Sequence, residues 1–102
     1  MDMNAMLQQA QMMQQELARA QEEIQQITYT ATSGGGMVKA TALGDGTIRE
    51  IVIDPEAVDP DDVEMLQDMI LVAVNEALRE VAAAGEQRMS SVTGGLGIPG
   101  LF

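Results

Sequence analysis

Between Met3 and Ile27 apolar residues fall at Met3, Met6, Ala10, Met13, Leu17, Ala20, Ile24 and Ile27, each three or four residues from the last. That spacing is the stripe of a helix lying along another helix, and no Gly or Pro interrupts it. The remaining faces are rich in Gln, with Arg19 one turn from Glu16, Glu22 and Glu23. Such pairs contribute about 0.2–0.5 kcal/mol each, so packing of the stripe must hold the helix.

At Thr28 the period changes. Thr28 to Thr32 is β-branched and aromatic, Gly34-Gly35-Gly36 supplies a permissive turn or bulge, and Met37 to Leu43 alternates Val38, Ala40 and Ala42 with Lys39 and Thr41. Gly44-Asp45-Gly46 is a hairpin signal, and Thr47 to Ile53 is the returning strand. The segment predicts a three-stranded antiparallel meander.

Asp54-Pro55 closes the last strand. Asp59 then predicts the N-cap of a second helix, with Pro60 at its first position and Asp61 and Asp62 favouring its positive end. From Asp61 to about Met89 a broad apolar stripe, from Val63 and Leu66 through Ala73 and Ala77 to Val81, is wide enough to meet both a sheet and a helix. Gly85 is expected to weaken the last turns by about 1 kcal/mol relative to Ala. The pattern predicts an α+β protein of order α-β-β-β-α, with residues 1–90 as one domain and 91–102 as a Gly-rich flexible tail.

The lengths have a consequence. At about 1.5 Å per residue the two helices reach about 37 and 43 Å, whereas a compact chain of this size has a radius of gyration of about 13 Å. The helices must project and leave apolar stripe exposed, so a homodimer is expected, with Met6, Ala10, Met13, Leu17, Ala20 and Ile24 at its interface.

Composition narrows the chemistry. The 102 residues include no His and no Cys, which removes Ser-His-Asp and Cys-His nucleophilic sites, disulfides and zinc sites built on nitrogen or sulfur. With 16 acidic against 5 basic residues the net charge is −11, which argues against indiscriminate binding of polyanions. The start of the chain lacks a basic leader, and the apolar run from Met69 to Val74 is far short of the roughly 20 residues of a membrane span, so a cytoplasmic location is expected.

Candidate motifs dissolve on inspection. Gly95 to Gly100 matches the letters of a dinucleotide loop, but no helix can follow it, and the triple glycine lacks the Lys-Ser/Thr of a phosphate loop. The carboxylates from Asp54 to Glu64 lack calcium-loop spacing and read as helix caps. With one Tyr and one Phe, little is present to line a substrate pocket, so no enzyme, metal, cofactor or small-molecule substrate is expected. The nine methionines read mainly as core filling. Arg19, Lys39, Arg49, Arg79 and Arg88 are the only side-chain cations that could meet phosphates, and Arg79 has Glu76 and Glu80 as neighbours for a local pair.

Several stretches in collinear order carry a resemblance: Leu7 to Gln14, Ser33-Gly34-Gly35-Gly36-Met37-Val38-Lys39, Ile53-Asp54-Pro55, Met65 to Ile70, Val74-Asn75-Glu76-Ala77, and Val92 to Pro99. Together they resemble the YbaB/EbfC family of bacterial nucleoid-associated proteins over almost the whole chain. The resemblance implies a homodimer with helices projecting like tweezers, double-stranded DNA as partner, and a role in nucleoid organisation and gene regulation. It also implies DNA contact through the projecting helices, here at Arg19, Arg79 and Arg88. Gln stands at most polar positions of the first helix, where such proteins often carry Lys, so the binding expected is weak and salt-sensitive. An acidic dimeric adaptor with a protein partner is the alternative from a different class. A continuous positive stripe would separate the first reading from the second.

Overall fold

The computed structural model describes residues 2–95. Helix α1 spans Met3–Gln26, strands β1, β2 and β3 span Thr28–Ser33, Val38–Leu43 and Ile48–Ile53, and helix α2 spans Val63–Gly95. This is the expected α-β-β-β-α order. Asp2 caps α1 by accepting a hydrogen bond from the Asn4 amide at 3.2 Å. Ile27 is already extended (φ −64°, ψ 137°), and the β-branched run continues from it into β1.

The strands form an antiparallel sheet in the order β1-β2-β3. Between β1 and β2 all three glycines have positive φ, at 61°, 67° and 93°, which an L side chain adopts only under strain. The β2–β3 hairpin closes through the Leu43 amide on the Thr47 carbonyl at 2.8 Å, with Asp45 accepting from the Thr47 amide at 3.0 Å. The hydrogen bonds from Thr47 hold the Asp45 carboxyl below its usual range.

Cross-strand pairing puts Ala31, Ala40 and Ile51 in one row on one face of the sheet. Helix α2 lies over β1 and β2 on that face, burying Ala73, Ala77 and Val81 against Ala31, Val38, Ala40 and Ala42. Alanines on both sides bring the helix backbone close to the strands, so the core is tight but thin. It is also incomplete, because Ala40 is fully buried while its neighbour Ile51 remains 43% exposed. The opposite face carries Thr28, Thr30, Thr32, Lys39 and Thr41, with the Thr30 and Thr41 hydroxyls 2.7 Å apart.

Two expectations about α2 need correction. The Asp59 carbonyl accepts from the Asp62 amide at 3.0 Å, and the Asp59 carboxylate accepts from the Asp61 amide at 2.9 Å. Asp59-Pro60-Asp61-Asp62 is thus a separate β-turn, for which Asp at the first and Pro at the second position are well suited. The cap of α2 is Asp62, which accepts from the Met65 amide at 3.3 Å. At its other end α2 runs through Gly85 to Gly95, six residues beyond the Met89 expected. Gly85 is buried where α1 crosses, and a Cβ there would stand 3.0 Å from Ile24 Cγ2, so the glycine also allows the two helices to approach closely. Residues 96–102, which hold most of the expected tail and of the Gly95 to Gly100 motif, lie outside the described residues.

Helix α1 packs antiparallel along the C-terminal half of α2, Ile24 against Gly85 and Glu23 against Arg88. The pair projects from the sheet as an arm, giving extents of 73 × 23 × 15 Å and a radius of gyration of 20.1 Å, well above the roughly 13 Å of a compact chain. No described helix is long and apolar enough to cross a membrane.

Candidate nucleic-acid interface

The arm carries the arginines that the sequence singled out on α1 and near the end of α2. Arg19 lies on the outer side of α1, its guanidinium 3.3 Å from Glu16 one turn back. Arg88 reaches across from α2 and donates from Nε (2.9 Å) and Nη2 (2.7 Å) to one carboxylate oxygen of Glu23. Glu23 is one turn beyond Arg19, so the two arginines and their two carboxylates form a single charged band around the arm. All four side chains keep substantial exposure, between 39% and 63%, so water and salt screen these pairs and a phosphate can compete for the guanidinium groups.

Arg79 stands apart. It is exposed, and among the described residues it makes no ion pair within 4.0 Å, so the local pairing expected with Glu76 or Glu80 is not formed. Nine residues from Arg88 on the same helix, it faces the opposite side, about 180° away and about 13 Å along the axis. Lys39 sits on the outer face of the sheet and Arg49 at the β-bulge opposite Thr41 and Ala42. The cations are thus distributed, and the described surface has no continuous positive stripe.

The apolar stripe of α1 divides in two. Ala20 is buried to 1% against the chain's own α2, and Met13, Leu17 and Ile24 are half-buried along the same contact. Met6 and Ala10 are exposed, as are Met3, Leu7 and Met12. The structure therefore places the inner stripe inside the protomer and leaves the outer stripe open. Glu23 is the member of the charged band that sequence reasoning did not assign to Arg88, since 65 residues separate the two and no local spacing signals their meeting. No group of three or more described acidic residues is placed to hold a metal ion.

A nucleoid-associated protein of Acetivibrio thermocellus is 54% identical over 102 residues, covering 99% of this chain and 90% of that protein. Another from Pelotomaculum thermopropionicum is 54% identical over 101 residues, covering 99% and 96%. Among solved structures, the crystal structure of an uncharacterized protein from Helicobacter pylori superposes with a TM-score of 0.67 at 27% identity, covering 95% of this chain and 99% of that one. The model of the YbaB/EbfC DNA-binding family matches residues 1–96, so nearly the whole molecule, sheet and arm together, belongs to the YbaB/EbfC DNA-binding family.

Proposed function

We propose that this protein is a nucleoid-associated protein that binds double-stranded DNA as a homodimer, with little sequence preference, and that it contributes to nucleoid organisation and gene regulation. The observation that carries the reading is the arm, a projecting helix pair with Arg19 and Arg88 in one band, in a chain that matches a DNA-binding family over residues 1–96. Phosphates replace carboxylates at the guanidinium groups when DNA binds, which keeps affinity low and salt dependence clear. Such contacts carry no base information, so binding is tolerant of sequence. Arg79, on the far side of α2, adds a separate phosphate contact.

A second copy of the chain is supported by the half-covered sheet at Ile51 and by the open outer stripe at Met6 and Ala10, both costly to leave in water. The reading ascribes no catalysis to the chain, and it places the protein with DNA in the cytoplasm.

The test is duplex binding by gel shift across a salt series, with the mass in solution measured alongside. A dimer mass is expected, with a salt slope of no more than about six phosphates per dimer at roughly −0.9 each. Arg19→Gln, Arg79→Gln and Arg88→Gln together should abolish binding and leave the fold intact. Glu23→Gln should do the reverse and tighten binding several-fold by releasing Arg88. A triple variant that binds as well as the parent, or a parent that ignores DNA at low salt, overturns the reading.

A further inference from the structure

The first turns of α2 and the end of β1 enclose a shallow hollow of about 510 Å³ that the DNA reading leaves unused. Its apolar wall is Met65, Met69 and Val72, four and three residues apart and so on one side of the helix, and its rim is Asp62, Glu64 and Asp68. Met65 and Val72 are 57% and 54% exposed, an unusual place to leave large apolar side chains together. The floor is held in position from below. The Ser33 hydroxyl donates to the Met69 carbonyl at 2.6 Å, and Gly34 comes so close to Met69 that a Cβ there would collide with its sulfur.

The rim is not neutralised. Asp62 serves as the cap of α2, but among the described residues neither Glu64 nor Asp68 has a cation within 4.0 Å. Lys39 belongs to the opposite face of the sheet. DNA is repelled by such a rim.

We propose that this hollow docks a cationic amphipathic segment of another protein, its apolar side chains against Met65, Met69 and Val72 and its Lys or Arg side chains on the carboxylate rim. Methionine suits the role, since its unbranched, polarizable chain repacks around different apolar shapes. The unpaired carboxylates attract and orient the segment. The inference does not rest on DNA binding, because the hollow lies at the sheet end of α2 and the charged band lies on the arm.

The test uses the full chain, labelled at its methionine methyl groups, and a synthetic peptide of Leu and Lys patterned as an amphipathic helix. The expected result is saturable binding that shifts the Met65 and Met69 methyl signals and leaves Met3 and Met6 unchanged. Met65→Ser with Val72→Ser should weaken it about tenfold, as the loss of two apolar contacts implies. Glu64→Gln with Asp68→Asn should weaken it similarly, while Glu22→Gln with Glu86→Gln, equal in charge but remote, should change it less than about twofold. Equal loss in the remote variant means general attraction to an acidic protein and overturns the proposal. So does undiminished binding of a peptide with Ser in place of Leu, or a second copy of this chain covering Met65 in solution.

Discussion

The sheet body and the projecting arm are built from the same kinds of residue but packed to opposite standards. In the body, Val38, Ala40, Ala42, Ala73 and Ala77 are all completely buried, and the helix rests on the strands with hardly any side chain between. In the arm Ala20 alone is buried on α1, and Met3, Met6, Leu7 and Met12 are more than half exposed. The body gains rigidity from close approach, and it fixes the direction in which the helices leave. The arm gains reach and carries Arg19 and Arg88, at the cost of leaving apolar surface exposed. In the proposed reading the interaction surface lies where packing is loosest and the polypeptide is longest, a common division between scaffold and contact region.

The sharpest way to break this division is at the junction. Gly44 follows β2 and donates its amide to the Ile27 carbonyl at 2.8 Å, and a Cβ on it would overlap the Ile24 carbonyl oxygen. Because the obstacle is backbone, Gly44→Ala should cost about 3 kcal/mol and misdirect α1, measurable as a lowered denaturation midpoint with altered arm chemical shifts.

A paired substitution then compares the two regions directly. Ala77→Leu in the body should lose about 2 kcal/mol by overpacking. Ala10→Leu in the arm, at an exposed site, should change protomer stability by less than about 0.5 kcal/mol. Equal effects in urea denaturation would mean that the arm is packed as closely as the body.

The smallest effect concerns the helix caps. Asp62→Ala should cost about 1 kcal/mol in global stability. Asp2→Ala should cost only a few tenths, because an end turn in the arm frays without unfolding the body, and hydrogen exchange at Asn4 and Ala5 should show that loss locally. Asp59→Ala should fall below Asp62→Ala, since Asp59 shapes the preceding turn.

Much of the fold was legible along the chain because its signals are local. The three-and-four spacing of α1, the alternation of Val38, Ala40 and Ala42, and the Gly44-Asp45-Gly46 hairpin each depend on neighbours a turn or a strand pair away. The Arg19–Glu16 pair was within reach for the same reason. Asp59 misled because four residues, three of them Asp, offer several caps, and only the path from β3 decides which amide each carboxylate meets. Gly85 looked like a defect since a single helix gives no reason for it, and its reason is Ile24 on another helix.

The sequence by itself determined the order of elements, the presence of two long helices, the acidic balance and the lack of His and Cys, because composition and periodicity do not depend on distant contacts. Tertiary structure decided which half of the α1 stripe is consumed within the protomer, that Arg88 meets Glu23 across 65 residues, that Arg79 faces away from both, and that Met65, Met69 and Val72 share an acidic-rimmed hollow with the end of β1. Those outcomes follow from where α2 lands on the sheet. That position is set by summed packing of small side chains rather than by any one local signal.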